Sequence, residues 1–186
     1  MKRDDIANFA YTEHLRDGRL VTIRAIRPDD KGRVVDTLSR VSSQSLYLRL
    51  FSGKRNFSDE EMNQITTVDF ENIVALVALV DKDGADQIVG GGRYFRIGAF
   101  GTGQSAEVAF LIDDPHQGLG IGARIFKHLV TIARQSGITR FEAEVLPSNR
   151  AMLGLFARSG LPVKKTLTGD SLHVTIQLAL AETGSR

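Results

Sequence analysis

Gln117-Gly118-Leu119-Gly120-Ile121-Gly122-Ala123 is the stretch of the chain that points most directly to a fold and a ligand. It follows a strand-like segment, 104–113, and enters an amphipathic segment with an apolar stripe made by Ile121, Ile125, Leu129 and Ile132. Glycine lets the backbone approach a ligand closely and adopt turns that other residues resist. The first amides of a helix have no intrahelical acceptors, so with the helix dipole they favour phosphate. The stretch therefore predicts a phosphate-binding helix entry.

Two other interpretations of these glycines are open at this point. The spacing Gly118-x-Gly120-x-x-Ala123 also fits the dinucleotide-binding pattern, with Glu142 or Glu144 near the place of its acidic residue. In that fold, however, the loop joins strand to helix tightly and several more strand–helix units follow. Here residues 113–117 intervene, and the chain closes with antiparallel strand patterns. The other interpretation is a glycine-rich helix entry that binds no ligand.

The hydrophobic pattern predicts one mixed α/β domain without internal repeats or linkers. Alternating or continuous apolar runs predict strands at 21–26, 72–80, 87–97, 104–113, 139–146 and 172–180. Capping residues and apolar stripes predict helices at 28–39, 42–51, from 58 onward, 119–135 and 149–158. We expect residues 1–20 to form an arm or a leading strand, 21–181 the domain, and 182–186 a tail.

Composition narrows the class of protein. The 186 residues are 42% hydrophobic and 25% charged, which is ordinary for a soluble globular domain. The absence of cysteine excludes disulfides and a thiol nucleophile, and together with the absence of a secretory signal pattern it favours the cytoplasm. The longest apolar run, 73–80, is too short to span a membrane, and a net charge of +2 is too small to indicate a nucleic-acid partner. The scattered histidines predict no metal site.

Several segments resemble one known family in the same order along the chain. Gln117-x-x-Gly120-x-Gly122 is similar to the pyrophosphate signature Gln/Arg-x-x-Gly-x-Gly/Ala of the GNAT superfamily of N-acetyltransferases. Similar segments of that family match 106–112 before it, 149–161 after it, and 88–91 in the earlier hairpin. Residues 42–51 further resemble the first-helix segment of bacterial Pat-type protein lysine acetyltransferases.

The resemblance implies a fold and a cofactor site. The fold is a single mixed, mostly antiparallel sheet of about seven strands with about four helices. Its parallel strands, 104–113 and 139–146, splay apart so that acetyl-CoA enters the gap. The backbone of Phe110, Leu111 and Ile112 would pair with pantetheine, and Asn149 would bind near it. The amides of the glycine stretch would hold the pyrophosphate, with residues Gln117, Gly118, Leu119, Gly120, Ile121, Gly122 and Ala123 at the site.

Glu107 is the candidate for acid–base chemistry. It alternates with apolar residues in a central strand, where a carboxylate is costly without a partner or a function. A lysine amine, whose pKa in water is about 10.4, must lose a proton before it attacks a thioester. By resemblance, Glu107 occupies the position of the general base in some protein-lysine members of the family. The alternative is a structural salt bridge with Arg93 or Arg96.

Two further expectations concern the reaction and its acceptor. A strand amide, that of Phe110 or Leu111, is the expected donor to the oxyanion. Many family members have a tyrosine where this chain has Phe156, so Phe156 is expected at the cofactor but cannot protonate the leaving thiolate. A protein lysine is the expected acceptor. A small amine and a non-catalytic acyl-CoA-binding module are the alternatives, in a monomer or a homodimer.

Overall fold

The computed structural model describes residues 1–50, 57–98 and 104–178. Its helices are α1 (Arg3–Ala7), α2 (Lys31–Ser39), α3 (Ser43–Leu50), α4 (Asp59–Thr66), α5 (Ile121–Gln135) and α6 (Arg150–Ala157). Its strands are β1 (Ala10–His14), β2 (Leu20–Ala25), β3 (Ile73–Lys82), β4 (Ala85–Ile97), β5 (Ser105–Ile112), β6 (Arg140–Val145), β7 (Val163–Thr168) and β8 (Ser171–Gln177). Two short 3₁₀ turns, Pro28–Asp30 and Asp114–His116, precede α2 and the glycine stretch.

The strands form one sheet in the order β1-β2-β3-β4-β5-β6-β8-β7. Every neighbouring pair is antiparallel except β5 and β6, which are parallel. The predicted mixed sheet with one parallel pair is confirmed. The described residues contain eight strands and six α-helices, where about seven and four were predicted.

The elements for which the sequence pattern indicated no range of their own are α1 and β1 at the start of the chain and β7 near its end. Residues 10–14 form β1, a leading strand on the sheet edge whose side chains are mostly exposed. Such a strand lacks the apolar alternation that reveals a half-buried one, and α1 is a helix of a single turn. Two expectations, the helix end at Phe51 and the tail 182–186, lie outside the described residues.

The two faces of the sheet pack against different helices. The main core buries α5 against one face, with Ile125, Leu129 and Phe126 meeting Phe141 and Val108. A smaller cluster on the opposite face joins Ala75, Val77 and Ile88 to α2 and to α4. Helix α4 begins with the predicted capping box, in which Ser58 Oγ accepts from the amide of Glu61 at 3.2 Å. Because side chains alternate along a strand, successive residues of β5 point to opposite faces of the sheet.

Candidate active site

Strands β5 and β6 separate part-way along their length. They pair only at Ser105 with Arg140, Ala106 with Phe141 and Glu107 with Glu142, whereas β5 continues to Ile112. The amide of Asp113 donates to the carbonyl of Val89 in β4 at 2.9 Å. By alternation, the amides of Phe110 and Ile112 point the other way, into the gap beyond the last paired residue. The gap therefore exposes an interior strand edge, which can pair with an extended ligand.

The glycine stretch presents a series of unused amides at the mouth of this gap. Gly118 and Gly120 adopt left-handed conformations with φ of 78° and 84°. Within the described ranges, the amides from Gly118 to Ala123 have no hydrogen-bond acceptor. A Cβ on Gly122 would lie 3.1 Å from Leu155 of α6, so the glycine permits α5 and α6 to approach closely. Free amides at the start of a 15-residue helix fit a pyrophosphate.

Two predicted site residues brace the walls of the gap with their side chains. The Gln117 amide group donates to the carbonyl of Ile112 at 3.1 Å and to Ser45 Oγ at 3.2 Å. Asn149 caps α6 by accepting from the amide of Met152 at 3.1 Å. It also donates to the carbonyl of Leu48 at 3.4 Å. These contacts tie the loop and α6 to the segment containing α3.

Several predicted site residues direct their side chains into the core. Phe156 is fully buried, and its ring centroid lies 5.5 Å from that of Phe126 and 6.5 Å from that of Phe110. Ile121 is also buried, and Leu119 packs against the same core. Phe110 thus meets the gap through its backbone. The aromatic cluster accounts for a phenylalanine at 156, and its predicted cofactor contact stays a prediction.

Glu107 is the last paired residue of β5, and its half-buried side chain lies on the face opposite α5. Across the described part of the chain, no hydrogen bond or ion pair within 4.0 Å engages its carboxylate. Arg96 instead donates to the carbonyls of Glu71 and Ser136. Burial lowers the pKa of Arg93, and the negative charge of nearby Glu107 opposes that shift. The salt bridge expected as the alternative role of Glu107 is therefore not formed.

A cavity of about 170 Å³ opens on the same face as Glu107. Its walls come from α2, α4 and strands β3 to β5, and are mostly apolar. Arg93, Gly91 and Leu111 contribute to it from the sheet, and Val34 and Ile65 from the helices. The cavity thus borders β5 at Ala109, Phe110 and Leu111, on the sheet face that also carries Glu107.

The sequence interpretation missed a group of polar side chains beyond the parallel pair. His173 on β8 contacts Glu144 (Nδ1 to Oε1, 2.6 Å) and Glu142 (Nε2 to Oε2, 3.6 Å) on β6. Burial tends to raise the pKa of Glu144, but hydrogen bonds from His173 and Ser171 outweigh it and leave the pKa lowered. Strands β5, β6 and β8 are separated along the chain. The register of β6 against β5 brings Glu142 beside Glu107, and the register of β8 against β6 brings His173 beside Glu144.

The described residues also bear on two other classes of site. Among them, no group of three or more histidine, cysteine, aspartate or glutamate residues is placed to hold a metal ion. None of the described helices is both long and apolar enough to cross a bilayer.

Comparisons with known proteins agree on one family. The model of the acetyltransferase (GNAT) family matches residues 43–161. An acetyltransferase of Pseudomonas aeruginosa is 33% identical over 170 residues, which cover 91% of this chain and 89% of that protein. The acetyltransferase Pat of Mycolicibacterium smegmatis is 30% identical over 146 residues, which cover 78% of this chain but 42% of Pat. The crystal structure of the GNAT domain of S. lividans PAT matches with a TM-score of 0.82 and 34% identity, covering 90% of this chain and 96% of that one.

Proposed function

The chain belongs to the GNAT family of acetyltransferases, and from that premise we propose that it acetylates protein lysine side chains with Glu107 as the general base. Membership makes it an acetyl-CoA-dependent acyltransferase. The proposal adds the acceptor, the base and the residues that hold acetyl-CoA.

The gap between β5 and β6 supports the placement of acetyl-CoA. Pantetheine would pair with the interior edge through the amide of Ile112 and the carbonyl of Phe110, which both point into the gap, so that the Phe110 amide stays available for the oxyanion. The pyrophosphate would accept from the free amides of the glycine stretch. Leu111 would contribute through its position between those two residues, because its own amide points to β4. Asn149 would border the pantetheine from the start of α6.

The unpaired carboxylate of Glu107 is the observation that carries the proposed chemistry. It accepts a proton from the lysine ammonium, which frees the nitrogen lone pair to attack the thioester carbonyl. The new C–N bond places negative charge on the carbonyl oxygen, and the Phe110 amide is oriented to donate to it. Collapse of this intermediate breaks the C–S bond and releases the CoA thiolate, and the nitrogen gives up its remaining extra proton to water, which leaves the neutral amide. Phe156 has no proton to supply, so the thiolate takes its proton from another source.

The surroundings of Glu107 support a large acceptor. On the face of the sheet that carries Glu107, the described helices cover the strands on one side only, because α2 packs on β4 and α3 packs on β5. On the neighbouring strands the side chains of His173 and Glu144 stay 37% and 44% exposed. A protein surface can reach an exposed sheet face of this kind. The cavity that Arg93 helps to line favours the second candidate, a small amine acceptor.

An acceptor comparison tests the proposal. Release of CoA thiol from acetyl-CoA would be measured with lysine-containing proteins, with small amines, and with no acceptor. We expect transfer to protein lysines, verified by the mass of the acetylated protein. Faster transfer to small amines would replace the proposed acceptor. Acetyl-CoA binding without transfer to any amine would instead identify a binding module.

A further inference from the structure

Asp113 is a fully buried carboxylate for which the proposed reaction has no use. It has 0% exposed surface and stands between the end of β5 and the glycine stretch. Burying an ionised carboxylate is costly unless it is paired and hydrogen-bonded. Arg40 donates from Nε to its Oδ2 at 3.0 Å, and His116 Nδ1 lies 2.6 Å from its Oδ1. Both carboxylate oxygens are thus engaged.

Arg40 connects this carboxylate to the end of α2. Its other nitrogens donate to the carbonyl of Asp36 at 2.9 Å and to that of Ile88 in β4 at 2.6 Å. The guanidinium therefore joins α2, β4 and the segment after β5 at one point. Helix α2 is also a wall of the cavity that opens on the Glu107 face of the sheet.

Neighbouring contacts hold the same segment against the region between α2 and α3. The Ser42 amide donates to Asp114 Oδ1 at 3.3 Å, and Gln117 reaches Ser45. Residues 113–117 are therefore fixed on one side by β5 and on the other by Ser42 and the first turn of α3. The free amides of Gly118 and its successors begin directly after this fixed segment.

We propose that Asp113 is a positioning residue that locks the glycine stretch to α2, so that its amides are arranged for the pyrophosphate before acetyl-CoA binds. The inference rests on the proposed assignment of those amides to the pyrophosphate. A loop that is already ordered loses less conformational entropy when it binds its ligand. Loss of the Asp113 contacts should then weaken acetyl-CoA binding more than it slows chemistry.

The fold supplies a matched control for this idea. Asp30 is equally buried and is held by Arg24 through two contacts of 2.7 Å, but it lies at the opposite end of α2. Asp30→Asn and Asp113→Asn therefore make the same chemical change in comparable surroundings. A purely structural role for Asp113 predicts the same behaviour from both variants.

The experiment compares the two variants with the wild-type chain. Calorimetry would give the acetyl-CoA Kd, kinetics would separate KM from kcat, and hydrogen exchange would follow the amides of 118–123 in the free protein. We expect Asp113→Asn to raise Kd and KM about tenfold, with kcat within about twofold and faster exchange in the stretch. Asp30→Asn should lower the thermal midpoint and leave the acetyl-CoA Kd unchanged.

The outcomes separate this inference from the proposed function. Equal Kd values and equal exchange for Asp113→Asn and the wild type would overturn the positioning role. If the wild-type chain did not bind acetyl-CoA at all, the proposed function would fail, while exchange in the free protein would still decide the role of Asp113. If Asp113→Asn does not fold, Asp113→Asn combined with Arg40→Gln removes both charges of the pair and takes its place in the same measurements.

Discussion

Glu107 of β5 and Glu142 of β6 lie directly beside each other, and they form the last residue pair before the two strands separate. Their environments differ. Glu142 accepts from Arg140 Nε at 3.0 Å and lies 3.6 Å from His173. Glu107 has no such partner within the described chain. Of the two carboxylates, Glu107 is the one free to receive a proton from an acceptor amine.

The first prediction compares these neighbours. Glu107→Gln should lower kcat by about 10²- to 10⁴-fold, the usual contribution of a general base, because the amide cannot accept the amine proton. The acetyl-CoA Kd should stay within about twofold, since its proposed contacts are made elsewhere. Initial rates and calorimetry would measure both quantities.

Glu142→Gln is the control for this substitution, because it changes an identical side chain on the adjacent strand. It should reduce kcat far less than Glu107→Gln. Equal reductions in kcat for the two variants would show that both carboxylates take part in the proton transfer. A larger reduction for Glu142→Gln would identify Glu142 as the general base.

The second prediction concerns the left-handed backbone of the glycine stretch. In Gly120→Ala, the new Cβ would lie 2.7 Å from Arg124 Nη1, at a φ of 84° that favours glycine. The strain should cost about 1–2 kcal/mol and displace the neighbouring amides, so acetyl-CoA affinity should fall. Calorimetry and denaturant unfolding would report the two effects.

Gly137→Ala provides the comparison. Gly137 has a φ of 78°, follows the other end of α5, and has nothing within 4 Å of the added Cβ. It should lose stability without losing acetyl-CoA affinity. A similar loss of affinity in both variants would mean that general destabilisation, and not the glycine stretch, controls binding.

The third prediction tests the place of the missing tyrosine. In Phe156→Tyr, the hydroxyl would enter a fully buried aromatic cluster, where an unpaired polar group costs about 1–3 kcal/mol. The variant should therefore unfold at lower denaturant concentration without a gain in kcat. An increase in kcat would show that position 156 reaches the leaving thiolate after all.

The fourth prediction concerns stability in acid. Burial alone would raise the pKa of Asp30, but hydrogen bonds from Arg24 and the amide of Arg27 outweigh it and leave the pKa lowered. A carboxyl whose pKa is lower in the folded than in the unfolded chain stabilises the fold at pH values above its unfolded-state pKa, which is about 3.9. This stabilisation is lost as the pH falls through the folded-state pKa.

Asp30→Asn should therefore reduce the free energy of unfolding at pH 6 and flatten its decline below about pH 4. Urea unfolding at a series of pH values would measure the difference. An acid decline of equal steepness in the variant and the wild type would assign the effect to other carboxylates.

Local patterns were sufficient to predict the parts of the site that depend on short stretches of chain. Glycine spacing indicated the helix entry, and alternation placed Glu107 on one face of β5. The choice of Phe110 over Leu111 as an amide donor needed the observed direction of one hydrogen bond, from Asp113 to Val89.

Contacts between distant segments could not be predicted in the same way. Arg40 and Asp113 are 73 positions apart, and nothing in either local sequence marks a buried pair. Glu142 suggested only a dinucleotide site, because its relation to Glu107 depends on the register of two parallel strands. The sequence allowed either an arm or a strand at residues 10–14, because the side chains of an exposed edge strand do not alternate between apolar and polar.

The short ladder between β5 and β6 gives the sheet a modular character. Within the described residues, three ladder pairs join the five strands that include the proposed cofactor edge to the three strands β6, β8 and β7. The polar side chains of His173 and Glu144 belong entirely to the smaller module. On the proposed assignment, substitutions in the smaller module would change the surface offered to the acceptor, while the proposed coenzyme contacts of β5 and the glycine stretch would keep their sequence.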